Sequence, residues 1–317
     1  EKLSPTQAEP EEYDRTFTDE ALGFIDKNRD TPFFVYLCYY TAHTSGPLAA
    51  SKKFQGSSDF GLYGDSVQEM DHHIGRLLRK LKEWELDERT LVIFTSDNGP
   101  WHLHLDHPER RNKGGGGPFR AGSPGPLRGQ KTETWEGGVR VPFVVKAPGL
   151  IQRGTETDQI VRIVDMLPTF AELAGAELTQ PWKIDGKSQL SLFAGETTES
   201  SVDTHYYYFQ AHLQAVRDKR YKLVLPRPAR PPWQAGGNFN LGGQSEDITT
   251  PELYDLKNDI GEKRNIAAQH PEVVERLLKK AEQTRADVGD YNRKGKNCRT
   301  DAHWAGPRSK WLATGDM

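Results

Sequence analysis

The sequence predicts an α/β protein: a mixed, mostly parallel sheet flanked by helices, followed by a small C-terminal α+β subdomain with an antiparallel sheet and a helix. Two observations carry this. Apolar runs of strand length alternate with helical stripes as far as Gly175, and beyond residue 196 short strands follow one another before a final helix. The boundary falls between residues 197 and 198, giving a first domain over 1–197 and a second over 198–317.

Glu1 to Glu12 is polar and proline-bearing, and reads as an irregular surface segment. Phe17, Ala21, Phe24 and Ile25 space a helix over Tyr13 to Asn28, which Thr31-Pro32 ends. The continuous apolar run Phe33 to Tyr40 then predicts a buried strand of the parallel-sheet kind. Val67, Met70, Ile74, Leu77, Leu78 and Leu81 share one face of the clearest helix, with Ser66 and Glu69 at capping-box spacing. A second strand, Thr90 to Ser96, runs into Asp97-Asn98-Gly99-Pro100. Trp101 to Lys131 has no periodicity, and loops of that length in a compact domain are commonly functional or disordered. A third strand, Val141 to Ala147, precedes a helix from Val164 to Ala174 that Pro168 should split. In the subdomain His205 to Gln210, Gln214 to Leu225 and Glu252 to Leu256 read as strands, the second with a turn at Asp218-Lys219. Val273, Val274, Leu277, Leu278 and Ala281 stripe a helix from Pro271 to about Asp287. Gly289 to Met317 shows little periodicity.

Composition narrows the function classes. With 42 basic and 45 acidic residues in 317 the net charge is −3, so no nucleic-acid partner is implied. No apolar stretch reaches membrane-spanning length. Two cysteines, Cys38 and Cys298, support neither a disulfide framework nor a cysteine metal site.

Asp97-Asn98 is the strongest chemical signal. A carboxylate and an amide oxygen at the end of a strand, where open α/β sheets bind ligands, suit a hard cation such as Ca²⁺ or Mg²⁺. Asp-Asn-Gly-Pro is equally a good turn sequence, and both readings stay open. Lys131, in Gly129-Gln130-Lys131-Thr132, is either an oxyanion-binding cation or a solvated side chain. Gly125 to Thr132 approaches a P-loop, but Gln130 stands for its second glycine and no strand leads into it, so a nucleotide site is rejected. His43, after the first predicted strand, suits proton transfer near neutral pH or is structural. His102, His104 and His107 make a weak zinc pattern, His72 and His73 read as incidental helix residues, and Gly114 to Gly117 as a flexible loop.

Several blocks, in order, resemble the sulfatase family, most closely the arylsulfatase-type enzymes of the alkaline phosphatase superfamily. They include Pro32 to Leu37 leading to His43, Tyr63 to Leu78, Val92 to Gly99, Gly125 to Lys131, Trp135 to Pro142 and Ile163 to Thr169. Ala215 to Leu223 and Glu252 to Leu256 resemble the family's C-terminal part. The resemblance implies an alkaline-phosphatase-like sheet and hydrolysis of a sulfate monoester on a small molecule or a glycan. It implies that Asp97 and Asn98 are two ligands of one Ca²⁺, that Lys131 binds a sulfate oxygen, and that His43 contacts the same group as a proton donor.

The chain departs from the family at the nucleophile, a formylglycine made within a Cys/Ser-x-Pro/Ala-x-Arg motif. Cys38 is followed by Tyr39-Tyr40-Thr41-Ala42 and Cys298 by Arg299-Thr300-Asp301-Ala302, and neither fits. The expectation is therefore a C-terminal portion of a sulfatase whose nucleophile precedes Glu1, without turnover alone. A catalytically inactive protein binding sulfated glycans through Lys131, His43, Arg110, Arg111 and Lys113 is one alternative. A two-metal phosphodiesterase or phosphonate hydrolase of the same superfamily is another. Family membership implies a secreted or periplasmic setting, or a lysosomal one in a eukaryote.

Overall fold

Helix α1 (Tyr13–Lys27) forms where the spacing predicts it, burying Ala21 and Ile25 on one face. The computed structural model describes residues 9–43, 48–101, 122–179, 183–228 and 247–298. Within it the chain divides into two units, one of residues 1–96, 100–123 and 142–149, the other of 97–99, 124–141 and 150–317.

In the first unit α1 packs on α2 (Gly61–Glu83), and Ile25, Leu81 and Leu86 form a small core joined by Phe33, Val35, Leu77, Trp84 and Val92. Helix α2 starts earlier than the Ser66-Glu69 spacing implies, so that pair lies within the helix and makes no capping box. Ser66 instead donates to the Tyr63 carbonyl at 2.8 Å, and the Glu69 carboxylate accepts the Ser51 N–H at 2.7 Å. The loop before the helix is held by Asp65, whose two oxygens accept the N–H groups of Gly56 and Ser58 at 2.9 and 2.8 Å.

Strand β1 (Val92–Thr95) pairs antiparallel with β2 (Phe143–Lys146), setting Phe94 opposite Val144. The apolar runs predict buried strands of a parallel sheet, yet this ladder is antiparallel and only half-buried, with Val144 61% exposed. The predicted strand Phe33 to Tyr40 forms no strand and joins no ladder among the described residues. Alternate side chains Phe33 and Val35 pack inward, while Phe34 and Tyr36 are 67% and 81% exposed. An apolar run favours extended backbone, yet a ladder also needs a neighbour for its amides. Here the Tyr40 N–H goes to the Asp14 carboxylate at 3.1 Å.

The second unit is built on a four-stranded antiparallel sheet in chain order: β3 (His205–Phe209), β4 (His212–Arg217), β5 (Tyr221–Val224) and β6 (Glu252–Asp255). The run Gln214 to Leu225 divides at the expected turn, where the Asp218 carboxylate accepts the N–H groups of Arg220 and Tyr221. Helix α5 (Pro271–Asp287) lays Val273, Leu277 and Ala281 on Leu213, Val216, Leu223 and Leu253. A single turn of helix, α3 (Glu136–Val139), precedes α4 (Met166–Leu173). Pro168 lies in the first turn of α4, where a missing N–H costs nothing, so it does not split the helix. Among the described residues no helix is long and apolar enough to cross a membrane.

Candidate functional site

Three of the four predicted site residues, Asp97, Asn98 and Lys131, lie in the second unit, on two loops that share one support. That support is α3. The Gly99 N–H donates to the Gly138 carbonyl at 3.0 Å, so the Asp97-Asn98-Gly99 corner rests directly on the α3 turn. A side chain at Gly99 would meet the Gly137 oxygen at 1.8 Å, which makes glycine obligatory at this approach. Asp97 is exposed and Asn98 half-buried, its amide nitrogen donating to the Gly99 carbonyl at 3.0 Å. That orientation leaves Asn98 Oδ1 as the acceptor end of the side chain.

Lys131 occupies a turn that the Glu133 N–H closes on the Gln130 carbonyl at 3.0 Å. Thr132 adopts a positive φ of 77° there, and the Glu133 carboxylate accepts the Gln130 N–H at 3.1 Å. The Gly137 N–H in turn donates to the Arg128 carbonyl at 2.6 Å. Added side chains at Gly137 and Gly138 would strike the carbonyls of Arg128, Gly129, Gln130 and Glu133 at 2.3–2.5 Å. The pair Gly137-Gly138 thus lets the Lys131 loop close onto α3.

Beneath α3 lies a buried charged cluster that spacing arguments do not find. Lys222 is 0% exposed, and its ammonium reaches Glu262 Oε1 at 2.7 Å, Glu136 Oε1 at 3.1 Å and the Thr134 carbonyl at 2.7 Å. Tyr207 donates to Glu136 Oε1 at 2.6 Å and Arg217 to Glu136 Oε2 at 2.9 Å. Burial alone would raise the Glu136 carboxyl, but Lys222 and Arg217 outweigh it and, with the Tyr207 hydrogen bond, hold it at about 2. Glu262 is pushed up, by burial first and by the neighbouring Glu136 charge, against the pull of Lys222. The signal available in sequence was a lysine inside the apolar run Tyr221 to Leu225.

His43 belongs to the first unit and is exposed. Its N–H donates to the Tyr40 carbonyl at 3.0 Å, and its ring meets the Tyr40 ring edge-on at 5.6 Å. Tyr13, Asp14, Tyr40 and Glu69 line a shallow cavity beside it. Among the described residues no three His, Cys, Asp or Glu side chains cluster as a metal site. His102, His104, His107, Arg110, Arg111, Lys113 and Gly114 to Gly117 lie outside the described residues. Cys38 is exposed.

One turn thus supports both the Asp97-Asn98 corner and the Lys131 loop. The chain belongs to the sulfatase family: the family model "Sulfatase" matches residues 1–176. The models for the C-terminal region of aryl-sulfatase and for the C-terminal part of N-sulphoglucosamine sulphohydrolase match 200–313 and 130–229. Human steryl-sulfatase is 34% identical over 291 residues, covering 85% of this chain and 47% of its own length. The chain spans about half the length of the curated relatives it matches.

Two solved structures extend the likeness to the fold. A sulfatase from Pseudoalteromonas sp. superposes with TM-score 0.72 at 25% identity, over 87% of this chain and 53% of its own. A Bacteroides thetaiotaomicron sulfatase, described with the metabolism of multiple glycosaminoglycans, gives 0.71 at 28% identity over 88% and 55%. The fold is accordingly the alkaline-phosphatase-like one of the sulfatases, with a small C-terminal subdomain of antiparallel sheet and helix.

Proposed function

We propose that the protein acts in hydrolysis of a sulfate monoester, with Asp97 and Asn98 holding part of a Ca²⁺ site and Lys131 and His43 holding the sulfate group. One observation carries the reading: the Gly99 to Gly138 hydrogen bond ties the oxygen pair to the same turn that carries the Lys131 loop. The donor set fits the cation, because a carboxylate and an amide oxygen are hard ligands, though Ca²⁺ takes about six to eight oxygens and needs more than this corner offers. When bound, Ca²⁺ would polarise the ester oxygens.

The roles of this chain's own residues follow from where charge moves. Hydrolysis passes the sulfuryl group from the ester oxygen to water, releasing inorganic sulfate, and as the ester S–O bond breaks negative charge shifts onto the leaving oxygen. The Lys131 ammonium offsets that charge, and protonated His43 supplies a proton to the leaving oxygen. Neither cysteine lies in the formylglycine motif. The substrate is a sulfated small molecule or sulfated glycan; steryl-sulfatase and the glycosaminoglycan-linked sulfatase exemplify the two kinds among the relatives. The family setting, secreted, periplasmic or lysosomal, completes the proposal.

Inorganic sulfate tests it directly. With Ca²⁺ present, sulfate should slow acylation of Lys131 in the full chain, read residue by residue by mass spectrometry, and Asp97→Ala should weaken that protection. Equal acylation of Lys131 with and without sulfate would sink the assignment.

A further inference from the structure

We propose that Glu136 is a positioning residue for this site: anchored by side chains of the four-stranded sheet, it fixes the turn on which both the Asp97-Asn98 corner and the Lys131 loop are built. The inference rests on the reading of those three residues given above. Its basis is the path of hydrogen bonds. Both oxygens of Glu136 are held by the sheet, Oε1 by Tyr207 on β3 and Lys222 on β5, Oε2 by Arg217 on β4. Its own N–H donates to Glu262 Oε2 at 2.7 Å, so side chain and backbone are pinned together. Two residues on, the carbonyl of Gly138 accepts the Gly99 N–H, and between them the Gly137 N–H donates to the Arg128 carbonyl.

This layout has a physical purpose. Buried ion pairs contribute little net stability compared with well-packed apolar side chains of similar volume. A fully partnered buried network does fix geometry, because any movement leaves a charge uncompensated in a poorly screened interior. Loops holding a cation and an oxyanion need such fixing, since small displacements cost binding and rate. Arg128 adds a second tie, stacking 3.5 Å over the Trp135 ring and donating to the Glu262 carbonyl at 3.1 Å. The sheet of the second unit therefore serves as the foundation of the site, and Glu136 is the point of attachment.

Hydrogen exchange of the full chain tests the proposal in Glu136→Gln. The Gly99 and Glu133 amides should exchange roughly tenfold faster than in the parent, while the sheet amide of Leu225, bonded to the Gln214 carbonyl, keeps its protection. Unchanged protection at Gly99 and Glu133 in the folded variant overturns the proposal. So does a uniform loss that includes Leu225, which would make Glu136 a structural residue only. Should Glu136→Gln fail to fold, Tyr207→Phe removes a single donor and should speed the same two amides roughly threefold; no change there overturns the proposal equally. The sulfate-dependent protection of Lys131 is read in parallel. If the amides respond as stated but sulfate never protects Lys131 even in the parent, the positioning stands and the sulfate reading falls. If sulfate protects Lys131 in the parent and equally in the folded Glu136→Gln, Glu136 does not position the site.

Discussion

The two units differ in how they handle their side chains. The first has a small core of Ile25, Leu81 and Leu86 and leaves Phe34, Tyr36 and Val144 mostly exposed. The second buries Leu213, Val216, Leu223, Leu253 and Leu277 beneath its sheet and also closes a network of buried charges on itself. Apolar strands with an open face contribute little to stability, because transfer energy follows area removed from water. The second unit therefore holds most of the buried apolar core among the described residues, and the candidate Ca²⁺ and Lys131 loops are attached to that unit.

Lys222→Met should break this contrast most severely. It leaves Glu262 as a buried carboxylate without its cation and Glu136 with Arg217 alone, at a cost of about 3–5 kcal/mol. A denaturant midpoint equal to the parent's would contradict the account of the network.

Acid sharpens the contrast next. Burial, with the Arg162 charge adding to it, lowers His205 to about 4, so the folded state keeps this ring neutral while the unfolded chain protonates near 6.5. The unfolded state then binds more protons between those values. Stability is full above pH 6.5 and falls as pH drops towards 4, by roughly 3 kcal/mol from this residue. His212 is lowered in the same direction, chiefly by burial, and adds to the loss. Unfolding curves at pH 7 and pH 4.5 measure it, and a flat profile would deny that these rings stay neutral in the folded state. Glu136 does not join in until pH falls below 4.5, since its carboxyl sits at about 2.

Gly99→Ala should cost less, about 1–3 kcal/mol, because the added carbon would press on the Gly137 carbonyl and force the corner off the turn. Thermal melts check it, and an unshifted Tm would mean the approach is looser than described. Tyr36→Ser is expected to do least. At 81% exposure its ring has little packing to lose, and the change should stay within about 0.5 kcal/mol.

Periodic elements were legible in the sequence, and their partners were not. The stripe Val273 to Ala281 announced α5, and the apolar run around Ile93 announced β1. Phe33 to Tyr40 looks the same in one dimension, but whether it joins a ladder depends on what lies beside it. Ser66 and Glu69 misled for a related reason: their spacing fits a cap, yet Asp65 organises the preceding loop and the helix has already begun. At the site, Asp97, Asn98 and Lys131 are visible as polar residues at loop starts and turns. Glu136 escapes such reasoning because its partners Lys222 and Glu262 stand 86 and 126 residues away in the chain. Only folding brings them together.

Trp135 deserves a last consequence. Its ring is covered by the Arg128 guanidinium and met edge-on by Tyr254, immediately before the turn that carries the loops. An indole so enclosed is a built-in optical gauge. With the other six tryptophans replaced by phenylalanine, its emission would be a one-colour readout of strain in the turn, legible without label or substrate.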